Sequence, residues 1–295
     1  MTAWLPTTMT LPWPQLEACF AAGRAAQTES LRPDWRGAQV LGVHAEGPFI
    51  SPRRKGAQAE SAIQRPDAAL LAPWADVIRL MTLAPEIDGA LDCIRAARKL
   101  GITVSMGHTD ATLAQARAGI EAGIDHATHT FNAMPPLNHR EPGAIGAALA
   151  DDRVYCELIA DTFHVHPALF GILARQKGDH LVLITDSIAS AGLPDGPHDQ
   201  LGVTVIVDGI RCRFPDGTIA GSALTMDRAV RNFREQTGLT LWQAVNMASL
   251  YPARSVGADG AKGSLAVGMD ADILIADADF RVRRTYVRGA CVYEG

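Results

Sequence analysis

The chain has 295 residues, of which 47% are hydrophobic and 20% charged, and a formal net charge of −5. At this length roughly 75% of the unfolded surface can be buried, enough for one large core with a small appendage. The negative balance offers no general attraction to phosphate backbones and argues against a nucleic-acid partner.

No apolar run approaches the ~18 residues of a membrane span. The N-terminus lacks the basic start and long apolar stretch of a signal peptide. Cys19, Cys93, Cys156, Cys212 and Cys291 lie far apart with no CxxC pair. They read as reduced core thiols of a cytoplasmic protein.

Along the chain, residues 2–7 read as a short apolar strand and 16–27 as an alanine-rich helix. Strand and helix signals then alternate. Strands are expected over 40–44, 77–83, 102–106, 125–129, 154–160 and 180–185. Helices are expected over 66–74, over 86–100 with Ile87, Leu91, Ile94 and Ala97 on one face, and over 110–122 with Asp110 as N-cap. A small helix at 143–149 and a proline-started one at 167–176 complete the series. Seven short apolar strands separated by helices predict a parallel sheet covered on both faces. A (βα)8 barrel needs eight, and the strand it lacks would precede Met1. Beyond Asp186 a hairpin is expected over 201–214, turned at Asp208-Gly209. Helices follow over 223–237 and 241–250, then short strands with glycine turns.

Three side chains stand directly after separate strands: Glu46 in His44-Ala45-Glu46-Gly47-Pro48, His108 after Met106-Gly107, and His129. In a parallel α/β protein that edge is where side chains converge on a ligand. One carboxylate and two imidazoles with an open position form a catalytic metal set. The donors suit zinc best, and iron, cobalt or manganese also fit. Asp186 ends the seventh strand, and its carboxylate fits a general base and acid beside an activated water.

His164 and His166 form an HxH pair, but Pro167 follows, so the backbone is expected to turn there. A substrate hydrogen bond from His164 is the stronger expectation. Arg140 hangs on the loop after His129, where it could hold an anionic group bidentately. Ala220-Gly221-Ser222 could cover a substrate with backbone N–H groups. No Walker loop, dinucleotide-binding glycine motif or nucleophile elbow is present.

At these residues the chain resembles the N-acetylglucosamine-6-phosphate deacetylases of the amidohydrolase superfamily. The segments that carry the likeness include HAEGPFISPRRKGAQ, SMGHTDAT, HATHTFNAMPPLNHREPG, LITDSIASAGLPDG and GTIAGSALTMDRAV. The resemblance implies a (βα)8 barrel over residues 1–255, with its first strand missing and a hairpin insertion near 201–214. Residues 256–295 would form part of a small β-sandwich. It implies a homodimer that hydrolyses N-acetyl-D-glucosamine 6-phosphate to glucosamine 6-phosphate and acetate. By motif, Glu46, His108 and His129 would hold one divalent ion and Asp186 would be the acid/base. Asn132, Ala133, Arg140 and His164 would contact the sugar phosphate, Arg140 reaching across the dimer. Ala57 and Ile219, Ala220, Gly221 and Ser222 would line the pocket.

Two local departures stand out: Gln58 replaces a histidine of the family's KGAH loop, and Thr162 replaces a glycine in Asp161-Thr162-Phe163-His164. The first motivates an alternative substrate, N-acetylgalactosamine 6-phosphate, or another amidohydrolase activity. The absent strand motivates a further alternative, an inactive fragment or sugar-phosphate binder.

Overall fold

The computed structural model describes residues 1–200 and 202–295; Leu201, the first residue of the expected hairpin, lies outside the described residues. The strand expected over 2–7 divides at Leu5-Pro6 into β1 (Ala3–Trp4) and β2 (Thr7–Thr8). Proline brings no N–H to a ladder, so a strand tends to break there. After α1 (Trp13–Glu29), the expected strand at 40–44 is likewise two pieces, β3 (Gln39–Val40) and β4 (Val43–Glu46). β1 pairs in parallel with β3, and β2 in parallel with β4.

From β4 the main sheet continues through β5 (Ile78–Leu83), β6 (Thr103–Met106), β7 (His126–Ala127), β8 (Tyr155–Ile159) and β9 (Leu181–Ile184). Its order is β2-β4-β5-β6-β7-β8-β9, parallel throughout, so each strand lies beside its predecessor in the sheet. Parallel neighbours need crossovers. Four of these carry α2 (Ala90–Lys99), α3 (Leu113–Ala122), α4 (Gly143–Ala150) and α5 (Phe170–Lys177). Their apolar sides meet the sheet in one core, where Ile94, Ala116, Ala147 and Leu173 pack with Val43, Met81, Val104, Cys156 and Leu158. Burying a side chain such as Ile94 or Leu158 contributes about 1.5–3 kcal/mol.

Several boundaries depart from expectation for identifiable reasons. The helix expected over 66–74 is two 3-10 turns, Ala68–Leu70 and Ala72–Trp74, the second with Pro73 in its first turn. α2 begins only at Ala90, after Gly89 at φ 86°, because Glu86 is turned back toward the loop after β6. Asp110 is not the cap of α3. Its carboxylate is held by Arg54 at 2.8 Å, and Thr112 caps instead, in a capping box with Gln115. The helix expected from Pro167 opens as a 3-10 turn before α5.

After β9 comes a four-stranded antiparallel sheet of β10 (Gly196–Gln200), β11 (Val203–Asp208), β12 (Arg211–Arg213) and β13 (Ile219–Ser222), in that order. The expected hairpin is its centre, β11–β12. The flanking strands were not expected. α6 (Met226–Thr237), α7 (Leu241–Asn246) and α8 (Leu250–Ser255) follow, and an antiparallel sheet of β14 (Ile273–Ala276), β15 (Val282–Val287) and β16 (Ala290–Glu294) ends the chain. No helix among the described residues is long and apolar enough to cross a membrane.

Candidate active site

The C-terminal ends of β4, β6, β7 and β9 deliver the four residues singled out above. Glu46 is the last residue of β4. His108, His129 and Asp186 each lie two residues beyond the end of β6, β7 and β9. All three take left-handed backbone angles, φ 47°, 31° and 52°. For residues other than glycine this is a sparsely populated region, costing on the order of 1–3 kcal/mol each, and such strain clusters at active sites.

The side chains of Glu46, His108 and His129 meet. Glu46 Oε1 lies 2.6 Å from His108 Nε2 and 3.3 Å from His129 Nε2, and the two Nε2 atoms are 3.1 Å apart. All three residues are buried. These three are the group among the described residues whose donor atoms converge closely enough to hold an ion. Tetrahedral ligands at the zinc–nitrogen distance of about 2.0–2.1 Å stand about 3.3 Å from one another. Two of the three separations match that spacing, and the pair at 2.6 Å is closer.

The surroundings also fit an ion. His108 Nδ1 donates to the Arg54 carbonyl at 2.9 Å, which orients the ring with Nε2 toward Glu46, where an ion would take the place of the Nε2 proton. Burial opposes the charge on Glu46, yet hydrogen bonds from His108 and His129 hold its carboxyl well below the usual carboxylate range. Burial likewise opposes a charge on His129, but the hydrogen bond and charge of Glu46 raise it to about 9. An ion taking that lone pair would displace the proton.

Asp186 is half-buried beside these groups. Burial, reinforced by the charge of Glu46, pushes its carboxyl above the ordinary value, while His129, His164 and His108 pull it back. The carboxylate is therefore within the field of the whole donor set. β13 packs directly on it. Ser222 N donates to Asp186 O at 2.9 Å, and a Cβ added to Gly221, at φ 115°, would stand 2.9 Å from that same oxygen and 3.6 Å from Asp186 Oδ2.

The other expected contacts divide. His164, its side chain 4% exposed, is fixed by Asp161, whose Oδ2 lies 2.6 Å from His164 Nδ1. Asp161 Oδ1 accepts the N–H groups of Phe163 and His164, both at 2.8 Å. Burial works against the Asp161 charge, but the His164 hydrogen bond and charge hold its carboxyl below the ordinary value. His166 points elsewhere and accepts Ala168 N–H, so the HxH pair does not act as a unit. Asn132 Nδ2 donates to the His129 carbonyl at 3.0 Å, and the Ala133 carbonyl accepts Thr109 N–H at 3.2 Å. Ala57 follows Gly56, where an added Cβ would stand 3.4 Å from His108 Cε1. Ile219, Ala220, Gly221 and Ser222 form β13. Arg140 is exposed, and its backbone N–H donates to Asn138 Oδ1 at 2.9 Å.

Sequence reasoning missed the residues that brace the site. Buried Gln58 accepts Thr10 N–H at 2.7 Å and donates Nε2 to Glu46 Oε1 at 3.2 Å. Glu86 accepts Thr109 Oγ1–H and Asp110 N–H, both at 2.6 Å, clamping the loop that bears His108. Glu157 Oε2 accepts His129 N–H at 3.2 Å. The available signal for Glu157 was a charged residue inside an apolar strand. Deeper in the sheet, His44 Nε2, Thr82, Thr128 and Ser105 form a buried chain of hydrogen bonds at 2.7, 2.7 and 2.5 Å.

Comparison with known proteins gives the family. Residues 22–292 match the family model of the Amidohydrolase family. The chain belongs to that family. This amidohydrolase is 41% identical to the N-acetylgalactosamine-6-phosphate deacetylase of Escherichia coli O157:H7, over 97% of its own length and 76% of that protein's. It is also 41% identical to the N-acetylglucosamine-6-phosphate deacetylase of Bacillus subtilis, over 98% of its length and 74% of the relative's. Among solved structures, the Mycobacterium smegmatis N-acetyl-D-glucosamine-6-phosphate deacetylase, as an aspartate-to-alanine variant in complex with N-acetyl-D-glucosamine-6-phosphate, superposes with a TM-score of 0.90. That likeness has 34% identity and covers 99% of this amidohydrolase and 76% of that chain.

Proposed function

We propose that this amidohydrolase removes the acetyl group of N-acetyl-D-glucosamine 6-phosphate, giving glucosamine 6-phosphate and acetate. The observation that carries the reading is the buried meeting of Glu46 Oε1, His108 Nε2 and His129 Nε2 with the Asp186 carboxyl in their field. In this reading the three hold one divalent ion. Zinc suits the donors best, and Fe2+, Co2+ and Mn2+ are the competitors. When bound, such an ion polarises the acetamide carbonyl and makes water more acidic.

Asp186 takes the proton of the attacking water on its carboxylate and returns it to the departing amine nitrogen. Burial and the charge of Glu46 hold its carboxyl above the ordinary value, which favours its second role as an acid. His164, oriented by Asp161, donates to the sugar phosphate from Nε2. Asn132, Ala133, Ala57 and the segment Ile219–Ser222 shape the pocket. The exposed guanidinium of Arg140 suits a contact to substrate bound by a second copy, and a homodimer is part of the reading. The parallel seven-stranded sheet fits seven strands of a (βα)8 barrel.

Asp186→Asn tests the central role. The variant should lose about 10²–10⁴-fold in kcat while keeping its metal. Near-normal acetate release by metal-loaded Asp186→Asn would sink the assignment. The Escherichia coli relative supports a second reading, N-acetylgalactosamine 6-phosphate as substrate. Parallel kcat/KM measurements on the two sugar phosphates separate the readings.

A further inference from the structure

β5 delivers no donor to the metal set, yet its Thr82 touches the segments that carry all three. The residue is fully buried, and in the ladder it stands opposite Glu46 on one side and Ser105 on the other. Its carbonyl accepts the N–H of Gly47, the residue after Glu46, at 3.1 Å. Its hydroxyl oxygen lies 2.7 Å from His44 Nε2, and His44 shares a face of β4 with Glu46 two residues on.

The same hydroxyl meets Thr128 Oγ1 at 2.7 Å, and Thr128 immediately precedes His129. That contact runs from β5 to β7 across β6, the strand between them. It crosses at Gly107, where an added Cβ would stand 2.8 Å from both Thr82 Cγ2 and Thr128 Cβ. A side chain there would push the two threonines apart. They close instead over a glycine that leads directly into His108. Ser105 Oγ, 2.5 Å from Thr128 Oγ1, ties β6 into the same chain.

The polar character of this layer is confined to the face that bears Glu46. Ala45, Met81, Val104 and Ala127, which alternate with its members, lie in the apolar core on the helix side. Apolar side chains of the same shape would stabilise a buried layer about as well, so stability alone does not call for hydroxyls and an imidazole. Hydrogen bonds differ from apolar contacts in fixing a distance and a direction. Donor atoms that share an ion need that precision, within about 0.5 Å.

We infer that Thr82 is a positioning residue of the metal centre, a role that rests on the proposed binding of one ion by Glu46, His108 and His129. Its hydroxyl and methyl set the spacing of those donors through His44, Gly107 and Thr128. Valine in its place keeps the shape, leaves His44 Nε2 without its partner and unties Thr128 from β5.

The experiment titrates metal-free protein with zinc in a calorimeter, for the unaltered chain and for Thr82→Val, Thr82→Ser and Met81→Val. Met81 is the neighbouring residue on β5, in the helix-side core, and its variant controls for loss of stability alone. Thr82→Val should bind zinc about 10–100-fold more weakly and shift the visible absorption bands of the Co2+-loaded protein. Thr82→Ser, which keeps the hydroxyl, should recover most of the affinity. Met81→Val should melt earlier and still bind zinc as tightly as the unaltered chain. Unchanged zinc affinity and Co2+ bands in Thr82→Val overturn the inference. So does a serine variant as weak as the valine one, or an equal loss of affinity in Met81→Val. Should Thr82→Val fail to fold, Thr128→Val carries the same expectation, because it cuts the chain at its next link and leaves Thr82 with His44. An unaltered chain that takes up neither ion overturns the metal reading itself, a result distinct from tight binding that ignores Thr82.

Discussion

Replacing Gln58 with leucine removes a brace from the metal carboxylate without touching a metal donor. The amide joins two buried partners, Thr10 N–H at 2.7 Å and Glu46 Oε1 at 3.2 Å. Leucine has similar bulk and no polar atoms. It leaves the Thr10 N–H unpaired, at a cost of about 1–3 kcal/mol in stability. It also withdraws the Gln58 amide, which of the three groups close to Glu46 Oε1 is the one that is not itself a metal donor. Losing an outer hydrogen bond of this kind typically weakens metal binding 10–100-fold. At 3.2 Å the bond is long, so the lower end applies, about tenfold or 1.4 kcal/mol. Calorimetric titration of metal-free protein with zinc reads the change directly. Gln58→His, which can keep a ring N–H toward Glu46, should restore most of the affinity. A leucine variant that melts earlier yet binds zinc as tightly as the unaltered protein would show that Gln58 only anchors the N-terminal segment, and the reasoning would be wrong.

Gly221→Ala would place its methyl 2.6 Å from Ile188 Cγ2 and 2.9 Å from Asp186 O on a backbone at φ 115°. The variant should keep its metal, measured by elemental analysis, and lose about 10–100-fold in kcat because Asp186 is displaced; full activity would show that β13 does not set that carboxylate. For Asp161, held below its ordinary value of 3.8, linkage makes its stabilising contribution complete above that value and lost as the pH falls through the lower folded value. Melting temperatures of the unaltered protein and Asp161→Asn should therefore differ at neutral pH and converge on acidification below about 3.8; a gap independent of pH would contradict the buried Asp161–His164 pair.

Much of the site was legible because strand ends announce it. Glu46, His108, His129 and Asp186 each follow a short apolar run, and a parallel sheet brings such positions to one edge. The braces were not legible. Gln58 reaches Glu46 only because the loop after β4 folds back on Thr10, and Glu86 grips Asp110 only after abandoning the helix its sequence suggests. The same competition misplaced the cap of α3, since Arg54 takes the Asp110 carboxylate and leaves Thr112 to cap. β10 was missed because Gly196-Pro197-His198-Asp199-Gln200 carries no strand-forming residue and is held by its ladder with β11 alone. The chain through His44, Thr82, Thr128 and Ser105 joins segments far apart in sequence, and no local pattern encodes it.

The left-handed backbone at 108, 129 and 186 limits how the centre can be rebuilt. Among residues with a Cβ, asparagine, aspartate and histidine are several-fold enriched in that region, and branched or bulky side chains are penalised. Ligand swaps within this short menu, such as His129→Asp, leave the main chain at ease and alter only the hardness of the donor. Cysteine and glutamate lack that preference and would add backbone cost to any change in coordination. A library seeking a different metal preference should therefore vary these positions among three side chains, and explore freely only at Glu46, the donor not among the left-handed residues.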